Sequence, residues 1–232
     1  MNPAQRIYVA LDTTDVDRAT DFAKTLKGSV GGIKFGKEFF TANGPQGVQQ
    51  VSAVGMPVFL DLKYHDIPNT VAGAIRAAQP LKPTLIDIHA SGGTAMMEAA
   101  AQAASEQGSD RPLVLAVTIL TSLDDDDLET MGVSDGVNNQ VVRLAKLAQD
   151  CGIDGVVCSA YEIDAIRKAC GLDFKLLVPG IRPKWSVTGD QKRIMTPRQA
   201  IDRGADYLVI GRPITKANDP LEAAQRIAEE LA

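Results

Sequence analysis

Four charged residues have the types and spacing needed for proton-transfer chemistry. Asp61 and Lys63 lie two apart at the end of an apolar run, Asp66 follows three residues later, and Lys34 lies in the preceding run. Residues two apart on a strand project from the same face, so Asp61 and Lys63 are expected to share one site. Buried charges need partners, so this alternating set predicts either a structural ion-pair network or a catalytic site.

The neighbouring aspartates also limit what Lys63 can do. A lysine that forms a Schiff base must first become neutral, which requires burial or a nearby cation. Neighbouring carboxylates favour the charged ammonium form instead. We therefore expect Lys63 to donate a proton rather than to attack a carbonyl group.

Two later loops combine glycine with arginine, a pairing suited to anions. Gly180 and Arg182 end one apolar run, and Gly211 and Arg212 end the next. Glycine lets a ligand approach the backbone N–H groups, and arginine offers paired donors to phosphate oxygens. The glycines could equally serve the turns alone, but two such loops in succession favour a phosphorylated ligand. Gln191, in the polar segment 184–196, could close over that phosphate.

The elements that must position these residues are eight short apolar runs, each followed by room for a helix. This repeat predicts a (β/α)8 barrel, whose functional residues lie at the carboxyl ends of the strands. An open doubly wound sheet is the alternative, but neither GxGxxG nor GxxxxGKS/T occurs in the chain. We therefore predict a single (β/α)8-barrel domain over residues 1–232. The predicted strands are Ile7–Asp12, Gly32–Gly36, Pro57–Lys63, Leu85–Ala90, Leu113–Leu120, Gly155–Ala160, Lys175–Ile181 and Tyr207–Arg212.

Helix signals lie between these runs. Asp15–Leu26 carries an apolar stripe, and Asp219-Pro220 combines an N-cap with a proline suited to the first helical turn. Helices are also predicted over Thr94–Ala104 and Asn138–Ala148. The acidic run Asp124–Asp127 is interpreted as a solvated loop or a helix start, because aspartate is favoured in a first turn.

The composition is that of an ordinary globular protein. The chain has 232 residues, of which 45% are hydrophobic and 23% charged, and a formal net charge of −5. An acidic chain without a basic face is poorly suited to nucleic acid, and no apolar run approaches membrane-spanning length. The first predicted strand begins at Ile7, so we expect no signal peptide. Cys151, Cys158 and Cys170 lack metal-ligand spacing and are interpreted as buried reduced thiols, so we expect a cytoplasmic protein.

Residues Asp61–Thr70 (DLKYHDIPNT) resemble the DxKxxDIPNT signature of the orotidine 5′-phosphate decarboxylase family. Further similar blocks follow in the same order over almost the whole chain, and none departs from the bacterial pattern at a functional position. They are ALD with Asp12, IKFG with Lys34, DIHASGG with His89, TILTS at 118–122, PGIRP with Arg182 and IGRPIT with Gly211 and Arg212. The resemblance implies a (β/α)8-barrel enzyme that converts orotidine 5′-phosphate to UMP and CO2, the last step of de novo UMP biosynthesis. It also implies that no metal and no organic cofactor takes part.

The resemblance further implies a role for each site residue. Lys34, Asp61, Lys63 and Asp66 would form the charged catalytic set, with Lys63 as the proton donor. Asp66 and Thr70 would complete the site of the neighbouring subunit in a homodimer. The residues that would contact the substrate are Asp12 and Lys34 at the ribose, Asp61 beside the reacting carbon, Thr121 and Ser122 at the pyrimidine, and Arg182, Gln191, Gly211 and Arg212 at the phosphate.

Other functions remain open on the sequence. A related lyase acting on sugar phosphates such as 3-keto-gulonate 6-phosphate would use Mg²⁺ and carry a carboxylate where Lys34 stands, and a lysine there would repel the ion. A catalytically silent sensor of phosphorylated ligands would bind UMP without turnover.

His89 is interpreted as a satisfied core histidine or a ligand contact, and Trp185 as packed or exposed within its loop.

Overall fold

The backbone forms a closed barrel of parallel strands. The computed structural model describes residues 2–186 and 195–232, and within them eight strands pair in sequence order, with β1 bonded to both β2 and β8. The predicted (β/α)8 barrel is therefore confirmed. The strands are β1 (Ile7–Ala10), β2 (Gly32–Phe35), β3 (Val58–Tyr64), β4 (Leu85–His89), β5 (Leu113–Val117), β6 (Gly155–Val157), β7 (Lys175–Pro179) and β8 (Tyr207–Ile210).

The same described residues form ten α-helices, and at least one follows each strand. None of these helices combines the length and apolar character needed to cross a bilayer. The helices are α1 (Val16–Leu26), α2 (Lys37–Ser52, broken at Gly44), α3 (Pro68–Ala78), α4 (Thr94–Ser105), α5 (Asp125–Thr130), α6 (Gly136–Asp150), α7 (Ile163–Cys170), α8 (Pro197–Asp202), α9 (Arg212–Thr215) and α10 (Pro220–Glu230).

Side-chain caps fix where several helices begin. Asp15 accepts a hydrogen bond from Asp17 N–H at 2.9 Å, and Asp219 accepts one from Glu222 N–H at 3.0 Å. The acidic run is also a helix start, because Asp124 caps the first turn of α5. Each cap satisfies an N–H group that the helix leaves unpaired and contributes about 1 kcal/mol.

Apolar side chains form two layers, one inside the barrel and one between the strands and the helices. Along β1, Tyr8 and Ala10 belong to the inner layer, whereas Ile7 and Val9 belong to the outer one. Successive residues of a strand face opposite ways, so every second residue of each strand points inward. A polar residue of a strand therefore also faces the barrel interior when it lies an even number of positions from an inner-layer residue.

Charged residues replace apolar ones at the upper end of the barrel interior. Phe59 and Leu85 belong to the inner layer, and Asp61 and Asp87 follow them by two residues on β3 and β4. Lys34 pairs in register with the inner residue Ala10 and so faces the same way. Three ionisable side chains thus meet above an apolar floor.

The strands end earlier than the apolar runs suggest. In seven of the eight runs, all except the third, the strand stops one to three residues before the predicted end. These residues follow the strands at the carboxyl end of the barrel, and some of them, such as Leu11 and Cys158, still donate a backbone hydrogen bond to the neighbouring strand. Asp12 and Arg182 therefore lie in the loops that follow β1 and β7, and Arg212 is the first residue of α9, just after β8.

Candidate active site

A cavity of about 330 Å³ lies at the carboxyl ends of the strands. Its floor consists of inner-layer residues, among them Phe59 and Val157. The charged residues of β2 and β3 line one part of its wall, and the loops after β7 and β8 line another. The site predicted from the charged residues and the site predicted from the Gly/Arg loops are therefore one cavity.

Lys34 and Asp61 form a buried ion pair in this wall. Lys34 Nζ lies 2.9 Å from Asp61 Oδ2 and 3.6 Å from Asp12 Oδ1, and the Lys34 side chain is only 9% exposed. Burial alone would lower the pKa of Lys34, but the carboxylates of Asp61 and Asp12 outweigh it and raise that pKa. Burial would raise the pKa of Asp61, yet Lys34 and Lys63 hold it below its usual range. Both groups are therefore charged at neutral pH.

Lys63 approaches Asp61 from the other side. Its ammonium contacts Asp61 Oδ1, and its side chain, 26% exposed, lines the cavity. The Lys63 backbone is left-handed, with φ +53°, and the pairing of β3 with β4 shifts between Leu60 and Tyr64. The prediction that Asp61 and Lys63 share one site is therefore confirmed, although the backbone between them departs from the regular strand alternation on which that prediction relied. Holding a non-glycine residue in this conformation costs about 1–3 kcal/mol, which surrounding contacts must offset.

Asp87, on β4, contacts Lys63 from outside the described cavity lining, and no role was predicted for it from the sequence. It is fully buried, and its Oδ1 accepts a hydrogen bond from Lys63 N–H at 2.7 Å. Its Oδ2 lies 3.8 Å from Lys63 Nζ. Burial raises the pKa of Asp87 well above its usual range, and the Asp61 carboxylate adds to the effect although Lys63 opposes it. An aspartate two residues after the inner-layer residue Leu85 was the available signal.

Most of the predicted ligand contacts surround the same cavity. Its lining includes Asp12, Thr121, Arg182, Gly211 and Arg212. Arg182 is buried, and its backbone N–H donates to the Met195 carbonyl at 3.2 Å, which ties together two parts of the chain beyond β7. Ser122 is exposed and does not belong to the described lining. Gln191 lies outside the described residues.

Asp66 and Thr70 lie outside the cavity of their own chain. Both are exposed, and neither belongs to the described lining. Asp66 Oδ1 accepts a hydrogen bond from Ile67 N–H at 2.7 Å, just before α3 begins. A single chain therefore does not bring Asp66 into contact with the Lys34–Asp61–Lys63 set.

His89 lies beside the site but is not among the described residues that line the cavity. Its ring centroid lies 5.4 Å from that of His65. Burial lowers the pKa of His89 from 6.5 to about 4, and the neighbouring His65, Lys37 and Lys63 act in the same direction. His89 is therefore neutral at pH 7 and does not supply a positive charge to the cavity.

Two further sequence interpretations are resolved. Trp185 is packed, because its Nε1 donates to Glu230 Oε1 at 2.7 Å and the Arg226 guanidinium lies 4.5 Å from its ring centroid. The three cysteines are buried free thiols, as the sequence indicated. Cys158 borders the cavity, where burial raises its pKa and leaves it a neutral thiol.

Fold and site together define a (β/α)8-barrel protein with alternating lysines and aspartates in its mouth and arginines on its rim. A family model described as "Orotidine 5'-phosphate decarboxylase / HUMPS family" matches residues 5–227. The chain is 56% identical to a protein named orotidine 5'-phosphate decarboxylase from Paramagnetospirillum magneticum, over 97% of this chain and 97% of that protein. It is 53% identical to a protein of the same name from Novosphingobium aromaticivorans, over 97% of this chain and 98% of that protein. The crystal structure of orotidine 5'-phosphate decarboxylase from Lactobacillus acidophilus has a TM-score of 0.86 and 35% identity, covering 97% of this chain and 98% of that one. The chain therefore belongs to the orotidine 5'-phosphate decarboxylase / HUMPS family.

The neutral state of His89 is directly measurable, because the chain has two histidines. NMR titration of the histidine Cε1–H signals should give one midpoint at about 4, below the ordinary 6.5. His89→Gln should remove that signal and so assign it. A lowered folded-state pKa means that stability present above about pH 6.5 is lost as the pH falls toward 4. A midpoint at or above 6.5 for the signal assigned to His89 would contradict the packing described for it.

Proposed function

We propose that this protein is an orotidine 5′-phosphate decarboxylase, a carboxy-lyase that forms UMP and CO2 in pyrimidine biosynthesis. The observation that carries the proposal is the Lys34–Asp61–Lys63 ion-pair chain in the wall of a cavity whose rim includes Arg182 and Arg212. The names of relatives that are 50–56% identical support the same activity.

The proposed reaction uses Lys63 as its acid. The substrate phosphate binds at the arginine-bearing rim, and the pyrimidine lies above Lys63. The bond between C6 and the carboxylate carbon breaks, its electron pair stays on C6, and CO2 leaves. Lys63 then transfers a proton from Nζ to C6 to give UMP, and it regains a proton from solvent. Ionised Asp61 keeps the ammonium in place throughout, because it is itself held between two cations.

Charge stabilisation in the transition state must supply most of the rate. Two like charges at 4 Å, such as a substrate carboxylate beside Asp61, repel by about 4 kcal/mol at an effective dielectric of 20. Enzymes lower activation barriers by roughly 8–23 kcal/mol, so repulsion accounts for a minor share. The larger share of the barrier lowering comes from the preorganised Lys63 ammonium that faces the developing carbanion, since its position requires no rearrangement during the reaction.

The position of Lys34 supports a reaction without a metal ion. Its ammonium lies within 3.6 Å of both Asp12 and Asp61 and so occupies the place of a cation between these two carboxylates. A cation in that place repels a second one. Among residues 2–186 and 195–232, no three His, Cys, Asp or Glu side chains are grouped to hold a metal. We therefore favour the decarboxylase over the Mg²⁺-dependent sugar-phosphate lyase, and we expect no organic cofactor.

The exposed segment after β3 supports a homodimer with shared sites. Asp66 and Thr70 flank Ile67, which is 67% exposed and offers an apolar surface for a second copy to cover. In such a dimer, Asp66 would place its carboxylate in the neighbouring cavity, beside the substrate carboxylate, and Thr70 would bind substrate there. The net charge of −5 and the buried free thiols support a cytoplasmic location without nucleic-acid or membrane partners.

The purified protein mixed with orotidine 5′-phosphate and EDTA should produce UMP, measured as loss of orotidine absorbance over time. Lys63→Ala should lower kcat by at least about 10³-fold, because both the proton donor and the cation facing the carbanion are lost. Lys24→Ala removes a lysine whose side chain is 65% exposed and serves as the control with unchanged kcat. Tight UMP binding without turnover by the native protein would support the silent sensor instead. Near-normal turnover of Lys63→Ala would exclude Lys63 as the donor.

A mixture of two inactive variants tests the shared site. Lys63→Ala and Asp66→Asn protomers should each form inactive homodimers. A heterodimer of the two contains one cavity with native Lys63 from one chain and native Asp66 from the other. Random pairing of equal amounts should therefore restore about a quarter of native activity per protomer, since half of the dimers are mixed and each has one intact site. If Asp66 serves the cavity of its own chain, no activity returns on mixing.

A further inference from the structure

Asp87 holds the backbone of Lys63 in an otherwise unfavourable conformation. Its Oδ1 accepts the Lys63 N–H at 2.7 Å, and Lys63 has a φ of +53° although it is not a glycine. The pairing of β3 with β4 shifts across this same point. We propose that Asp87 is a positioning residue for the reaction, because its hydrogen bond to the Lys63 backbone fixes where the ammonium points. The expected effect on kcat rests on the proposed function, whereas the expected effect on the Lys63 backbone does not.

The geometry favours the backbone hydrogen bond over a direct ion pair. Asp87 Oδ2 lies 3.8 Å from Lys63 Nζ, beyond hydrogen-bond distance, whereas the backbone contact is short. Oδ2 accepts no hydrogen bond from the described residues. The Lys63 ammonium instead contacts Asp61. Asp87 therefore acts on the orientation of Lys63 and only secondarily on its charge.

The environment of Asp87 suits a neutral acid. The side chain is fully buried, and burial together with the nearby Asp61 carboxylate raises its pKa well above the usual range. A neutral carboxylic acid still offers a carbonyl oxygen to the Lys63 N–H. Asparagine has almost the same shape and offers the same acceptor. Asp87→Asn should consequently preserve the hydrogen bond, whereas Asp87→Ala removes it.

Three variants measured together test this inference. Asp87→Ala should lower kcat by roughly 10²-fold, because a small displacement of a catalytic group has effects of this size, while KM changes less than about threefold. Asp87→Asn should recover kcat to within about fivefold of the native enzyme. Asp154→Ala is the matched control, because Asp154 accepts the Val114 N–H at 2.8 Å in the same kind of carboxylate–strand bond. It lies outside the described cavity lining, and its loss should lower the unfolding temperature without changing kcat.

Crystal structures of the Asp87 variants give a readout that does not depend on activity. The Lys63 backbone should leave the left-handed region in Asp87→Ala and remain there in Asp87→Asn. Asp87→Ala with native kcat and an unchanged Lys63 φ would overturn the inference, as would Asp87→Asn that behaves like Asp87→Ala. If the native enzyme does not act on orotidine 5′-phosphate, the proposed function fails, but the backbone comparison still decides the role of Asp87.

Discussion

The interior of a parallel barrel excludes most water, so charges placed there must neutralise one another. Lys34 and Asp61 meet this constraint at 2.9 Å, and Lys63 contacts the second oxygen of Asp61. Removing one member of such a pair typically costs about 3–5 kcal/mol, because the other charge is left buried without a partner. The arrangement therefore holds each charge in place and leaves the cavity side of Lys63 available for chemistry.

This constraint connects the fold to the site. Strand alternation directs Lys34, Asp61 and Asp87 inward, above an apolar floor that includes Phe59 and Leu85. Lys63 lies where β3 leaves its regular pairing with β4, and the resulting left-handed backbone lets its side chain reach Asp61 from the cavity side. Arg182, in the loop after β7, and Arg212, at the start of α9, line the same cavity because the barrel pairs β7 with β8 and closes β8 onto β1.

The sequence predicted the barrel well because parallel strands, buried on both faces, appear as apolar runs with helices between them. It also identified Lys34, Asp61 and Lys63, since charged residues are rare within such runs and at their ends. It gave Asp87 no role, because the spacing of Asp87 from Leu85 becomes a signal only once Leu85 is known to face the barrel interior. The conformation of Lys63 was equally hidden, since a local irregularity in β3 leaves no mark in residue types. The exposed position of Asp66 in a single chain follows from loop direction, which spacing does not determine.

A double-mutant cycle between Lys34 and Asp61 tests the central claim most directly. The unfolding free energies of the native protein, Lys34→Met, Asp61→Asn and the double variant would be measured by denaturant titration. Each single substitution should cost about 3–5 kcal/mol, and the double variant should lose less than their sum by at least about 2 kcal/mol, because it leaves no unpaired charge between these two positions. Additive losses, within about 0.5 kcal/mol, would show that the two charges do not stabilise each other and would contradict the account.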